Sequence, residues 1–319
     1  MGYSIILDRD QDGRRIDHAI KSIWPELPLS LIMKALRKGE VRLDAKKVRE
    51  PGTKIFAGQE LYTPWPRDLN LNNNAIYNRK NFEKNKNLNL NILWQGEGAI
   101  IINKPAGLLV QPDTKDGDSV ITRLWSMLNI NNNNLFKPAA VHRLDRNTTG
   151  VLAAALHGDS LRELEKLFKA HSIKKIYRAV VTGRAPDFIE INAPLIKDAE
   201  LNLVKVANNL THDLNPDVKT AKSLCKLIKY DAQKNISLVE IELLTGRTHQ
   251  ARVHMAHINH AIIGDRKYGD FKANKIFNKV KRPLLHAYKL IFPELNNKAV
   301  SELSNKTFQA ELPEDFILF

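Results

Sequence analysis

A single cysteine, Cys225, stands among the 319 residues, so no disulfide can form within the chain, and a reducing compartment suits it. Cys225 lies in the apolar-rich stretch "SLCKLI" and reads as buried filler rather than a nucleophile. No apolar run approaches the roughly 20 residues that a membrane-spanning helix needs. The amino-terminal "MGYSIILDRDQDGRR" is too acidic and too poor in apolar residues for a secretory signal. It begins Met-Gly, but Ile6 occupies the position where N-myristoylation requires Ser or Thr. The expectation is a cytoplasmic protein without a membrane anchor. Acidic residues are also in short supply. Lys and Arg number 49 against 35 Asp and Glu, a formal net charge of +14. Such an excess points to a polyanionic partner, and nucleic acid is the leading class.

The length suggests about two domains. Residues 1–13 read as a strand, "YSIIL", and a loop. In "RRIDHAIKSIWPEL", Ile16, Ala19, Ile20 and Ile23 recur at helical spacing. A second helix is expected with Ser30 as its N-cap, Ile32, Met33, Ala35 and Leu36 on its apolar face, and Gly39 at its end. "VRLDAKKVREP" predicts a hairpin turning at Asp44-Ala45, and "GTKIFAGQELYTP" predicts further short strands. Residues 14–65 thus form a helix–helix–hairpin module. Lys34, Arg37, Lys38, Arg42, Lys46 and Lys47, joined by Arg49, run from its second helix into its hairpin, opposed only by Glu40 and Asp44. A lone charged helix would be a solvated face; continuation into the hairpin favours contact with phosphates. Residues 66–91 are dominated by Asn and Lys and read as a linker. "NINNNN" at 129–134 reads as a surface-loop insertion.

From residue 92 to 319 the chain reads as one larger unit in which strands outnumber helices without alternating with them. That pattern predicts an α+β fold with a largely antiparallel sheet. Within it "VHRLDRNTTG", "KKIYRAVVTG" and "LLTGRTHQARVH" each set charged or aromatic residues beside a strand end and a glycine. "INKPAG" adds a rigid turn. In this order and spacing the four stretches resemble the RluA-type pseudouridine synthases: "HRLDRNTTG" is similar to that family's "HRLDRxTSG", with Thr149 for Ser. The front module resembles the S4-type RNA-binding domain that many members carry. "LRKGEVR" is most similar to the RluC type, which acts on large-subunit ribosomal RNA.

The resemblance implies a pseudouridine synthase catalytic domain. Its reaction breaks the N1–C1′ bond of a uridine and rejoins the base through C5, after the nucleotide has left the stack. Asp145 is the implied catalytic carboxylate, as nucleophile or as base. Arg247 is the residue implied to pair with it, since a nearby guanidinium keeps a buried carboxylate ionised. Arg143 would enter the RNA stack in place of the flipped base. Tyr177 would pack on the uracil with its hydroxyl available for proton handling, and Leu285 would form an apolar wall. His142, Thr148, Thr149 and Gly150 read as structural. Isomerisation needs no redox partner or group donor, so no cofactor and no metal are implied, and the expected partner is RNA bound by a monomer.

Each residue has a plainer reading. Asp145 between two arginines could be a surface ion-pair cluster, Arg247 a turn residue, and Tyr177 core packing; the ordered recurrence of all four stretches favours the site. Four rivals remain. A non-catalytic RNA-binding or ribosome-assembly factor would have no use for Asp145. A synthase for transfer RNA would share every motif. A metal site built from His249, His254, His257 and His260 lacks the "HExxH" pattern, a nearby cysteine and any acid among the four, so those histidines are expected to be structural. A glycosidase would need two carboxylates, and the motifs around Asp145, Tyr177 and Arg247 offer one.

Overall fold

The apolar runs "AIII" and "TGVLAAA" are long enough to be buried on both faces of a sheet, and they form two neighbouring strands of the main sheet. The computed structural model describes residues 2–24, 27–66, 89–113, 117–130, 136–198, 203–207 and 215–316. The front unit consists of β1 (Tyr3–Ile6), α1 (Ile16–Ile23), α2 (Leu29–Lys38), β2 (Arg42–Leu43), β3 (Lys46–Lys47) and β4 (Glu60–Thr63). Its four strands form one sheet in the order β1-β4-β2-β3. Ile16, Ala19 and Ile20 of α1 meet Ile32, Ala35 and Leu36 of α2 in its own small core, with Val41, Ile55 and Leu61.

Three details of this unit differ from the sequence expectations. The N-cap of α2 is Pro28, not Ser30, which falls inside the helix and makes no capping bond; proline's fixed φ suits a helix entrance. Within "GTKIFAGQELYTP" only β4 is a strand, while Lys54 contributes a single bridge to Arg15. The unit also begins before residue 14, because Tyr3–Ile6 pairs antiparallel with Glu60–Thr63. Gly39 ends α2 with φ +66, and Asp44 and Ala45 turn the hairpin with φ +49 and +64, as expected. Residues 67–88 of the Asn/Lys-rich stretch, and 131–134 of the second Asn run, lie outside the described residues.

The larger unit continues with β5 (Asn91–Gln95), β6 (Ala99–Lys104), α3 (Val120–Met127), β7 (Ala139–Ala140), β8 (Thr149–Ala155), α4 (Gly158–Lys169) and β9 (Lys174–Thr182). Then come β10 (Phe188–Asn192), β11 (Leu195–Asp198), β12 (Leu203–Val206), β13 (Lys222–Asp231), β14 (Ile236–Leu243), α5 (Gln250–His257), α6 (Phe271–Ile276), β15 (Leu285–Ile291) and β16 (Thr307–Gln309). The main sheet runs β10-β13-β14-β9-β15-β8-β6-β5, with β7 and β16 at its side. Its pairs are antiparallel except β15 with β8. The fold is therefore α+β on a mainly antiparallel sheet.

Strand alternation divides the core into two layers. Leu152 and Ala154 of β8 face the layer that α3 covers with Val120, Ile121 and Leu124. Val151, Ala153 and Ala155 face the layer that α4 covers with Leu164. The front unit reaches this second layer: Asp10 Oδ1 accepts the Gly158 N–H at 2.8 Å, at the start of α4, and Arg162 donates to the Asp12 carbonyl at 2.9 Å. Cys225 is fully buried in the first layer. Among the described residues no helix is long and apolar enough to cross a membrane.

Candidate active site

The loop before β8 carries "VHRLDRNTTG", and several bonds fix its course. His142 Nε2 accepts the Ala153 N–H at 3.0 Å, and the ring stacks on Phe168 at 4.6 Å. Burial pushes His142 down to about 3, so the imidazole is neutral and able to accept. Leu144 is buried in the core. The Asp145 carbonyl accepts the Thr148 N–H at 3.0 Å, closing a turn. Lys104 of "INKPAG" is fully buried beneath this turn, and its ammonium donates to the carbonyls of Pro105, Leu108 and Arg146 at 2.8–2.9 Å. Burial lowers Lys104 to about 7, while the charge of Asp145 acts in the opposite sense; three carbonyl acceptors match the three hydrogens of its charged form. Gly150 ends the motif at φ +110 where β8 runs against β15, and a Cβ there would lie 2.1 Å from the Ala287 carbonyl oxygen. Only glycine meets both conditions.

The Asp145 carboxylate emerges from this loop partly buried, its side chain 23% exposed. Its partner is not the expected one. Arg252, on α5, donates from Nη1 to Asp145 Oδ2 at 3.0 Å. Arg247 instead lies in the turn before α5, where its Nε donates to the Thr220 carbonyl at 2.9 Å. The cause is local: the chain turns through His249 in the left-handed region at φ +55, and α5 starts at the next residue. Arg252 therefore projects from the first turn of a helix, while Arg247 stays on the far side of the turn.

Arg252 is itself held. Its Nε and Nη2 bond Asp265 in a bidentate pair at 2.7 and 2.8 Å, and its guanidinium lies 5.0 Å from the centre of the Tyr268 ring. Burial alone would raise the Asp265 carboxyl. Arg252 and the amides of Lys267 and Tyr268 more than offset this and hold it below the ordinary carboxylate value. Opposed effects also act on Arg252: burial works against its charge, but the two aspartates raise its affinity for the proton.

His249 approaches the other carboxylate oxygen, with Nε2 3.8 Å from Asp145 Oδ1, while its Nδ1 bonds the Tyr268 hydroxyl at 2.8 Å. That hydroxyl accepts the Val204 N–H at 3.0 Å, tying β12 to the site. Burial lowers His249, and the charge of Asp145 only partly restores it. The other histidines of "HQARVHMAHINH" disperse. His254 bonds Ser223 and the Ala193 carbonyl, His260 bonds the Thr182 carbonyl, and His257 is exposed. Among the described residues no group of three or more His, Cys, Asp or Glu is placed to hold a metal.

Asp145, Tyr177, Arg247, Leu285 and Arg143 line one cleft of about 630 Å³, so the structure brings these expected residues together although Arg247 is not the carboxylate's partner. Tyr177, on β9, is buried, and both burial and the negative charge of Asp145 push its hydroxyl well above the ordinary phenol value. It is a neutral phenol that can donate a hydrogen bond. Leu285, at the start of β15, is also buried. Arg143 is exposed at the lip, and among the described residues no acid pairs with it. On the front unit, Lys34, Arg37, Lys38, Arg42, Lys46 and Lys47 are all exposed. Lys47 and Arg49 pack beside Gly39, so basic side chains of the hairpin adjoin the end of α2. Arg252, Asp265, His249 and Tyr268 had no assigned place in the site from sequence. The available signal was that Arg252 shares "TGRTHQARVH" with Arg247 and that Asp265 and Tyr268 share the compact "GDRKYG".

Comparison with known proteins matches this arrangement to one chemistry. The profile of a family described as RNA pseudouridylate synthase matches residues 98–257. An RNA pseudouridine synthase of Mycoplasma genitalium is 31% identical over 308 residues, which cover 94% of this chain and 92% of that one. The ribosomal large subunit pseudouridine synthase C of Haemophilus influenzae is 32% identical over 301 residues, covering 92% and 88%; that of Vibrio parahaemolyticus is 29% identical over 306 residues, covering 93% and 90%. Among solved structures, human RNA pseudouridylate synthase domain containing 4 superposes with a TM-score of 0.55 at 25% identity, over 71% of this chain and 90% of that one. With an aspartate held by an arginine at the floor of its cleft, the chain belongs to the RNA pseudouridylate synthase family and is an isomerase that converts uridine in RNA to pseudouridine.

Proposed function

We propose that the chain modifies uridines of large-subunit ribosomal RNA in the cytoplasm, with Asp145 as the catalytic carboxylate. The observation that carries the catalytic part is the Asp145–Arg252 pair at 3.0 Å on the floor of a basic cleft. A carboxylate bonded to a guanidinium can meet the electron-poor C1′ that appears as the N1–C1′ bond breaks. The base then rotates and bonds through C5, the C5 proton leaves, and N1 takes up a proton. The product has the same atoms as the substrate, so no group donor enters the balance.

In this reading Tyr177 packs on the extruded uracil as a neutral phenol, Leu285 closes the apolar side of the pocket, and Arg143 fills the gap in the stack. Arg247 lines the cleft and contacts RNA rather than Asp145. The front unit, an S4-like domain over residues 14–65 with β1 added, supplies the phosphate contacts of Lys34, Arg37, Lys38, Arg42, Lys46 and Lys47. Residues 66–91 link it to a catalytic domain over 92–319, and the chain acts as a monomer. Support for ribosomal RNA is the relatives' own designation as large-subunit synthases. The test is to map pseudouridine in ribosomal and transfer RNA from cells lacking this chain. Loss of large-subunit positions is the expected result; loss confined to transfer RNA would move the substrate, and loss of none would leave a binding factor.

A further inference from the structure

Lys175 is a lysine in a place where lysines are costly. It is 7% exposed as a residue, yet among the described residues no hydrogen bond or ion pair engages its amine. Burial accordingly lowers its proton affinity, with Glu242 acting in the opposite sense. The stem of the side chain is buried while the amine keeps access to the cleft, where a ligand can serve as its acceptor. Lys175 sits on β9 two residues before Tyr177, and a strand sends alternate side chains to the same face. Both line the cleft that Asp145 faces.

Two further basic groups converge on the same wall. Arg247 spends only its Nε on Thr220, and among the described residues its two terminal nitrogens bond nothing. His171, at φ +57 in the turn leading into β9, also lines the cleft. Burial lowers its proton affinity, and the charges of Lys175 and Arg247 lower it further, so the three groups feel one another. Glu165 is the acid on this wall, exposed at the rim. Two cations without an acid partner, with an imidazole beside them, suit an anion better than a neutral base edge. Along the strand Lys175 and Tyr177 are separated by about 7 Å, comparable with the reach from a pyrimidine ring to its own backbone phosphate.

We propose that Lys175, with Arg247 and His171, seats a backbone phosphate adjoining the extruded uridine. The inference rests on the reading above that the uracil packs against Tyr177. Seating that phosphate fixes the sugar relative to Asp145 and supplies the acceptor that Lys175 otherwise lacks.

The experiment compares the full-length protein with its Lys175→Met, Lys175→Gln and Lys175→Arg variants, using unmodified large-subunit ribosomal RNA transcribed in vitro. Binding is measured between 50 and 200 mM KCl alongside pseudouridine formation. Leaving one phosphate without its cation lowers the slope of log affinity against log salt by about 0.7–0.9, so the wild-type advantage over Lys175→Met shrinks about threefold across that range. Lys175→Arg restores the slope, and the loss in the neutral variants falls on KM. Lys175→Gln gives the same readout should the methionine variant fail to fold. An unchanged slope in the neutral variants overturns the proposal, whether activity persists or kcat alone collapses, the latter placing the amine on the base. If the wild-type protein makes no pseudouridine in this RNA, the ribosomal reading fails, while the salt slope still decides the role of Lys175.

Discussion

Asp145 and Arg252 are 107 positions apart in sequence and 3.0 Å apart in the fold. The same guanidinium holds Asp265 in a bidentate pair, so the proposed catalytic carboxylate is positioned through a second, fully buried one. Substituting Asp145 separates chemistry from binding. Asp145→Asn keeps the shape and removes the charge. Pseudouridine formation is expected to fall by at least about 10³-fold, with RNA affinity nearly unchanged. Retained product in a single-turnover assay would rule out the proposed mechanism.

Asp265 tests the support. Asp265→Ala leaves Arg252 buried with half its partners gone and is expected to destabilise the fold by about 3–5 kcal/mol. The sign with pH follows from the depressed Asp265 carboxyl. Stability from this pair is complete above the unfolded value near 3.8 and is lost as pH falls through the lower folded value. Thermal unfolding between pH 7 and pH 3 should show that acid loss in the wild type and a smaller one in Asp265→Asn.

Tyr177 is expected to remain protonated throughout the working range, because burial and Asp145 both raise its hydroxyl. Tyr177→Phe should therefore lower kcat while leaving the alkaline limb of the pH–rate profile below pH 10 where it was. A limb that disappears in the variant would show that Tyr177 ionises during turnover.

Gly150 is a packing requirement. With φ at +110 and the Ala287 carbonyl 2.1 Å from where a Cβ would sit, Gly150→Ala must part β8 from β15 and is expected to cost about 2–4 kcal/mol. Urea unfolding measures this directly, and a shift below about 0.5 kcal/mol would mean that the strands separate easily.

The basic face of the front unit has its own signature. Replacing Lys34, Arg37, Lys46 and Lys47 with Ser is expected to weaken RNA binding and to flatten its salt dependence, by about 0.7–0.9 in slope for each phosphate left without its cation. Unchanged slope would leave the unit as a passive scaffold.

Much of the fold was legible because its signals are local. Ile16, Ala19 and Ile20 repeat at helical spacing, Gly39 ends α2, and Asp44-Ala45 turns the hairpin, each through the conformational preference of a few neighbouring residues. Pro28 displaced Ser30 as the N-cap because its fixed φ lets the helix start two residues earlier, which places Ser30 inside the first turn.

The resemblance picked out Asp145 and Tyr177, which line one cleft, and His142 read as structural, as its bond to the Ala153 amide shows. The choice between Arg247 and Arg252 was different in kind. Both arginines share one stretch, and the answer turns on His249 adopting a left-handed conformation that starts α5 one residue later. The unpartnered amine of Lys175 was equally hidden, because whether a lysine has an acceptor depends on every chain segment packed around it. Composition and motif order thus determined the class of partner and the kind of chemistry; the tertiary structure decided which charges meet, because an ion pair across 107 positions is set by packing rather than by spacing.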